Sequence, residues 1–127
     1  SYINGVSFFD QIHKYYSGKK HEAVLMEDCR KKLKEAGVFH KVISRVKKVC
    51  DTGNFGPVNK RHKYWVRKNL GWLKWDDGTR VYYSIFEDGC IIVFMTSGNK
   101  NKQDDDVKEA EKIRDQILSE VKKYEEK

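Results

Sequence analysis

The hydrophobic period of this chain changes once in its first half, and that change limits what it can fold into. Up to Cys50, apolar residues recur at helical spacing. After the loop Asp51-Thr52-Gly53-Asn54-Phe55-Gly56-Pro57, which holds the only proline, they alternate. A repeat of 3.6 turns one stripe of a helix toward a core, whereas a period of two turns one face of a strand there. Helices come first, a strand meander second, and one more helical segment closes the chain.

That order predicts an α+β fold, with N-terminal helices packed on one face of a small antiparallel sheet and followed by a C-terminal helix. The first helix rests on Phe8, Phe9, Ile12, Tyr15 and Tyr16, capped by Ser7 and ended by Ser17-Gly18. The second, about His21 to Ala36, shows Leu25, Met26, Cys29, Leu33 and Ala36 on one stripe and stops at Gly37. The third runs from Val38 to Cys50 on Phe39, Val42, Ile43, Val46 and Val49, with Lys41, Arg45, Lys47 and Lys48 outside. Strands are expected over 62–70 (HKYWVRKNL), from Trp72 to Trp75, from Thr79 to Phe86 and through CIIVFMT, with turns at Asp76-Asp77-Gly78 and Glu87-Asp88-Gly89. Asp104 to Tyr124 forms the closing amphipathic helix. At 127 residues the chain is long enough for one domain with its own core.

The formal net charge is +7, and the basic excess lies ahead of the last helix. A basic surface attracts polyanions, nucleic acid first and anionic membrane second. No apolar stretch approaches the roughly 18–20 residues that cross a bilayer. No charged-then-apolar leader is read either, so a cytoplasmic protein is expected. Cys29, Cys50 and Cys90 are odd in number and far apart, and each falls at an apolar-periodic position, so buried free thiols are expected. His13, His21, His40 and His62 are scattered without paired spacing, and no metal site or cofactor is implied.

Strand alternation also names a second surface. With Val81, Tyr83 and Ile85 against the helices, Arg80, Tyr82 and Ser84 point to the opposite, uncovered face. With Tyr64 and Val66 inward, Lys63, Trp65 and Arg67 join them, and Lys100 and Lys102 leave the last strand at the edge of the same surface. Such a face suits a nucleotide strand: cations neutralise phosphates, and Trp65 or Tyr82 stacks a base for roughly 1–3 kcal/mol. The equally plain reading is a solvated surface, or one covered by another chain. The same ambiguity holds in GNKNKQDDDVKEAEK (Gly98 to Lys112). Asp104 to Asp106 stand where a helix starts and suit its free N–H groups, while Lys100 and Lys102 have no such local reason. No carboxylate pair, phosphate loop or Ser/His/Asp set stands out, so an enzyme here would work with Arg, Lys and Tyr. Those types serve RNA cleavage by internal attack of a 2′-OH on the adjacent phosphate.

Four short motifs occur in order and register: TGNFGPV (Thr52 to Val58), GTRVYY (Gly78 to Tyr83), DGCIIVFM (Asp88 to Met95) and GNKNKQDDDVKEAEKI (Gly98 to Ile113). Over roughly Val38 to Ile117 the chain resembles the RelE/ParE toxin superfamily, and within it the addiction module killer proteins of the HigB-like branch. The resemblance implies the toxin of a bacterial type II toxin–antitoxin system, whose RelE-type relatives cut mRNA in the ribosomal A site. It implies a cognate antitoxin, often a helix-turn-helix protein, as partner, with mRNA on the ribosome as substrate and no membrane. By position, Arg80 matches the arginine of G-x-R-V-Y-Y and Lys100 the lysine of G-x-K-x-x-Q. A further family arginine falls on Arg67 or, as a lysine, on Lys74. Lys63, Trp65, Tyr82 and Lys102 are then the RNA-binding candidates. Residues 1–37 become an N-terminal helical elaboration and 38–127 the core. Family members usually begin with a strand and carry two N-terminal helices, whereas this sequence reads as three helices with no good opening strand. Two other activities stay open: a ParE-type inhibitor of DNA gyrase, and a non-catalytic basic nucleic-acid-binding relative.

Overall fold

In the computed structural model, residues 2–3, 6–56, 69–86 and 89–125 are described. Among them the α+β class holds, and a five-stranded sheet organises the molecule. Ahead of it lie two short paired strands, β1 (Tyr2–Ile3) and β2 (Val6–Ser7), and a 3-10 turn at Phe8–Gln11. Then follow β3 (Ile12–Ser17), β4 (Glu22–Met26), α1 (Glu27–Glu35), α2 (Phe39–Thr52), β5 (Gly71–Lys74), β6 (Thr79–Phe86) and β7 (Ile91–Asn99). A second 3-10 turn, Lys100–Lys102, leads into α3 (Gln103–Glu125).

The strand order is β3-β4-β7-β6-β5. β5, β6 and β7 form the expected meander, but β4 pairs with β7 in parallel, from Glu22 opposite Ile91 to Leu25 opposite Phe94. The sheet is therefore mixed. The physical reason lies in the N-terminal third, where the first expected helix gives a strand and the opening turn and a half of the second becomes another, the rest of it standing as α1. Ile12 to Ser17 pairs antiparallel with β4, and Glu-Ala-Val-Leu-Met enters the middle of the sheet before the helix begins at Glu27. Parallel strands need a long crossover, and here α1, α2 and the meander supply it. Ala23, Leu25, Met26, Cys29 and Leu33 are all buried in the hydrophobic core.

Local chemistry fixes the helix ends. Glu27 and Asp28 sit in the first turn of α1 and Lys32 and Lys34 in its last, each sign matched to the dipole. α2 buries Val42, Ile43, Val46, Val49 and Cys50, and stops at Gly53, whose φ of 74° is left-handed and whose N–H returns to Val49 O. The β3–β4 turn is tied to that end of α2. Lys20 N and His21 N both donate to Cys50 O, and Tyr16 Oη donates to Asp51 at 2.8 Å.

The sheet is covered on both faces, which corrects the expectation of one open side. Tyr82, Tyr83 and Ser84 are consecutive strand residues and so point alternately, yet they are 0%, 2% and 0% exposed. Phe55, just past α2, stacks on Tyr83 with ring centres 5.2 Å apart, and Tyr83 in turn meets Phe94. On the other face Tyr82 lies against Trp72, and α3, burying Ala110, Ile113 and Ile117, runs over β7 and β6. Ser84 is inside as well, its hydroxyl donating to Asn69 O. Of the three thiols, Cys29 and Cys50 are buried as expected. Cys90 is exposed, because the strand starts at Ile91 and leaves it in the turn. No helix among the described residues is long and apolar enough to cross a membrane.

Candidate functional site

Three residues form a row across the sheet. Lys74 on β5 lies opposite Arg80 on β6, and Arg80 lies opposite Gly98 on β7. Cross-strand partners send their side chains to the same face, so Lys74 and Arg80 are two cations side by side. Like charges placed so are destabilising by a few tenths of a kcal/mol or more, and no acidic residue stands in the row to offset them. Lys74 is exposed, with its backbone carbonyl accepting from Arg45 Nη1. Arg80 is half-buried. Its Nη1 donates to Gly78 O at 3.3 Å, and its buried Nε has no hydrogen-bond partner.

The third member of the row makes room for a carboxylate. A Cβ built on Gly98 would lie 2.6 Å from Asp106 Cγ, so Asp106 occupies the space above that glycine. The direction in which that Cβ would project is also the direction of the Arg80 side chain. Asp106 and Arg80 therefore lie on one side of the sheet, in adjacent positions. Asp106 Oδ2 is buried without a hydrogen-bond partner. Burial pushes the carboxyl pKa up, with help from Asp105 and Glu109, while Lys32 and Lys102 pull it down; the net shift is upward. Asp104 and Asp105, its neighbours in sequence, are exposed.

Asp106 also lines a pocket of about 540 Å³ bounded by the end of α1, the last residues of β7 and the start of α3. Lys32, Glu35, Thr79, Asn99 and Lys102 are among the other residues on its wall. Lys32 is held by Asp28 at 3.2 Å and donates to Thr96 Oγ1 at 2.9 Å, which fixes the ammonium beside Asp106. The Asn99 side chain accepts from Asn101 N at 2.9 Å and so shapes the Lys100–Lys102 turn at the rim. The pocket and the strand row beside it combine a guanidinium, several ammonium groups and the carboxylates of Asp106 and Glu35, which suits an anionic, hydroxyl-bearing ligand such as a nucleotide.

Not every residue read from the sequence comes to this place. Lys102 lines the pocket, Lys74 and Arg80 stand in the strand row that ends at Gly98 on its wall, and Lys100 opens the turn that Lys102 closes. Tyr82 does not come there: it is fully buried against Trp72, so it has no free ring face for a base. Lys63, Trp65 and Arg67 fall in residues 57–68, outside the described residues. Asp106 was legible only as one of three helix-start aspartates. The signal that separates it from the other two is Gly98, a glycine near a strand end, which marks close approach of another group. Comparison of the chain with family models, curated proteins and solved structures found no match.

Proposed function

We propose that this chain is the toxin of a bacterial type II toxin–antitoxin pair, acting in the cytoplasm as an endoribonuclease on ribosome-bound mRNA. The observation that carries the reading is the Lys74–Arg80 pair, two cations set opposite each other on a sheet face with Lys102 near the end of the next strand. An arginine grips a phosphate bidentately and keeps its proton, and a lysine beside it adds charge where the phosphorane develops. The order of elements supports the same reading. From β4 onward the chain runs strand, two helices, three-stranded meander, helix. That order is compatible with the opening strand and pair of helices that the resemblance implies, with β1, β2 and β3 standing ahead of it.

The reaction in this reading is transfer of a phosphoryl group within RNA: the 2′-oxygen bonds to phosphorus as the 5′-oxygen leaves. Arg80 binds the non-bridging oxygens and Lys74 neutralises the same phosphate. The partner that restrains this activity is a co-encoded antitoxin. Induced expression in bacteria tests the proposal. Expected are arrested translation and mRNA cut within codons, with toxicity relieved by Arg80→Ala in a protein that stays folded. Intact transcripts together with a DNA-damage response would replace this reading with gyrase inhibition.

A further inference from the structure

We infer that Asp106 is the proton acceptor of the cleavage and that the pocket in front of it holds the ribose bearing the attacking 2′-OH; the inference rests on the nuclease reading just given.

Four observations converge on it. A nuclease that uses internal attack needs a base, and among the residues of the site only Asp106 and Glu35 can accept a proton without first losing one. Glu35 is an exposed residue at the end of α1, whereas Asp106 lies beside Arg80 across the Arg80–Gly98 pair. Gly98 gives up the side chain that would displace Asp106, so the carboxylate is seated by the backbone rather than left to solvent. Asp106 Oδ2 is buried and unpartnered, which costs folding free energy with no structural return, as residues at functional sites often do. The pocket, about 540 Å³, is large enough for one nucleoside and is walled by the polar groups of Thr79 and Asn99.

The 2′-OH proton passes to the Asp106 carboxylate while the 2′-oxygen bonds to phosphorus. The bond from phosphorus to the 5′-oxygen breaks, and the Lys102 ammonium gives that oxygen its proton. The products are a 2′,3′-cyclic phosphate and a 5′-hydroxyl. Asp106 then releases its proton to water and Lys102 takes one back, so both groups return to their starting states. The elevated carboxyl pKa makes Asp106 a stronger base than an ordinary surface aspartate. The charged groups facing it are Lys32 and Glu35 from α1, Lys102 from the turn, and Asp105 and Glu109 from α3, while the Arg80 guanidinium turns back to Gly78 O.

The test is single-turnover cleavage of ribosome-bound mRNA between pH 4.5 and 8.5, alongside binding of the same message carrying a 2′-deoxy nucleotide at the cut. Asp106→Asn should slow cleavage by about 10²–10⁴-fold. It should also abolish the fall in rate toward low pH, while leaving binding of the deoxy message within about threefold. Asp104→Asn and Asp105→Asn should cut normally. An Asp106→Asn protein that cleaves within about threefold of wild type overturns the inference and leaves the nuclease reading standing. A wild-type protein that cuts no message overturns the nuclease reading itself. If Asp106→Asn does not fold, the wild-type profile decides, and a rate unchanged from neutral to acid pH overturns the proposal.

Discussion

Asp106 fills the place that a side chain on Gly98 would need: a Cβ there would come within 2.6 Å of Cγ and 3.1 Å of Oδ1. Gly98 has no left-handed backbone angle to explain it, so the close approach of a carboxylate is its reason. This one relationship ties the last strand to the first turn of α3 and seats a carboxylate within reach of the Lys32 and Lys102 charges.

Gly98→Ala should therefore destabilise the fold by about 1–3 kcal/mol, the usual cost of an added methylene without space. Equilibrium urea unfolding measures it. In an Asp106→Ala background the same change should cost much less, because the clash is gone. A double-mutant cycle that shows simple additivity would mean that the two residues do not touch.

Asp106→Asn should raise stability at neutral pH. The sign follows from linkage. A carboxyl whose pKa is higher in the folded state binds its proton more tightly there, so stability falls as pH rises from the ordinary aspartate value through the folded one. Above both values the penalty is complete, and the amide, which has no charge to bury, escapes it. The gap between variant and wild type should close as pH drops below the ordinary range. Thermal melts at pH 3 and pH 7.5 check this, and a variant less stable than wild type at both would contradict it.

Tyr82→Ala should behave as a core deletion, costing about 3–5 kcal/mol in urea unfolding. The ring is fully buried against Trp72, so its loss leaves a cavity under α3. A variant of near wild-type stability with weakened RNA binding would restore the open-face placement that alternation alone suggested.

Alternation names the two faces of β6 but not what lies on them. Period two assigns Tyr82 and Ser84 to one face and Tyr83 to the other, and that assignment is right. It does not say what covers each face. A second amphipathic helix was visible in Ala110, Ile113 and Ile117, and its apolar stripe needs a surface of its own, which is the face carrying Tyr82. The N-terminal misreading has a different cause. Glu22 to Met26 contains Glu, Ala, Leu and Met, all good helix formers, running straight into a true helix. Parallel pairing with β7 overrides that preference, and no local pattern announces a partner some 70 residues away. By contrast β6, β7, α2 and most of α3 stand where their periods put them. Arg80, Lys74 and Lys102 could be named as candidates from the sequence because charge on a strand or turn is conspicuous. Asp106 was hidden behind the ordinary role of acids at helix starts.

Thiol labelling separates the three cysteines. Cys90 is exposed and should react with a maleimide in the native protein within minutes. Cys50 and Cys29 are both fully buried, the thiol of Cys50 pushed up to about 11 and that of Cys29 higher still, each chiefly by desolvation. Those two should label only on unfolding, at rates that follow denaturant. Fast native labelling of two or more thiols, counted by mass spectrometry, would contradict the burial of α1 and α2 against the sheet.

Lys74 and Arg80 make a last, quantitative expectation. Each removes one counterion from a bound RNA strand, so Lys74→Ala and Arg80→Ala should each reduce the slope of log affinity against log salt by about 0.7 for single-stranded RNA. Arg80, half-buried and able to bond bidentately, should cost more affinity at any one salt concentration than exposed Lys74. The two cations repel each other across the β5–β6 pair when no anion is bound. Neutralising exposed Lys74 should therefore leave the free protein as stable as wild type or slightly more so. Fluorescence anisotropy with a labelled oligoribonucleotide between 50 and 300 mM salt gives the slopes, and urea unfolding gives the stability. Slopes unchanged in both variants would place the RNA elsewhere on this basic chain, whereas weaker binding with unchanged or raised stability would tie it to the Lys74–Arg80–Gly98 row.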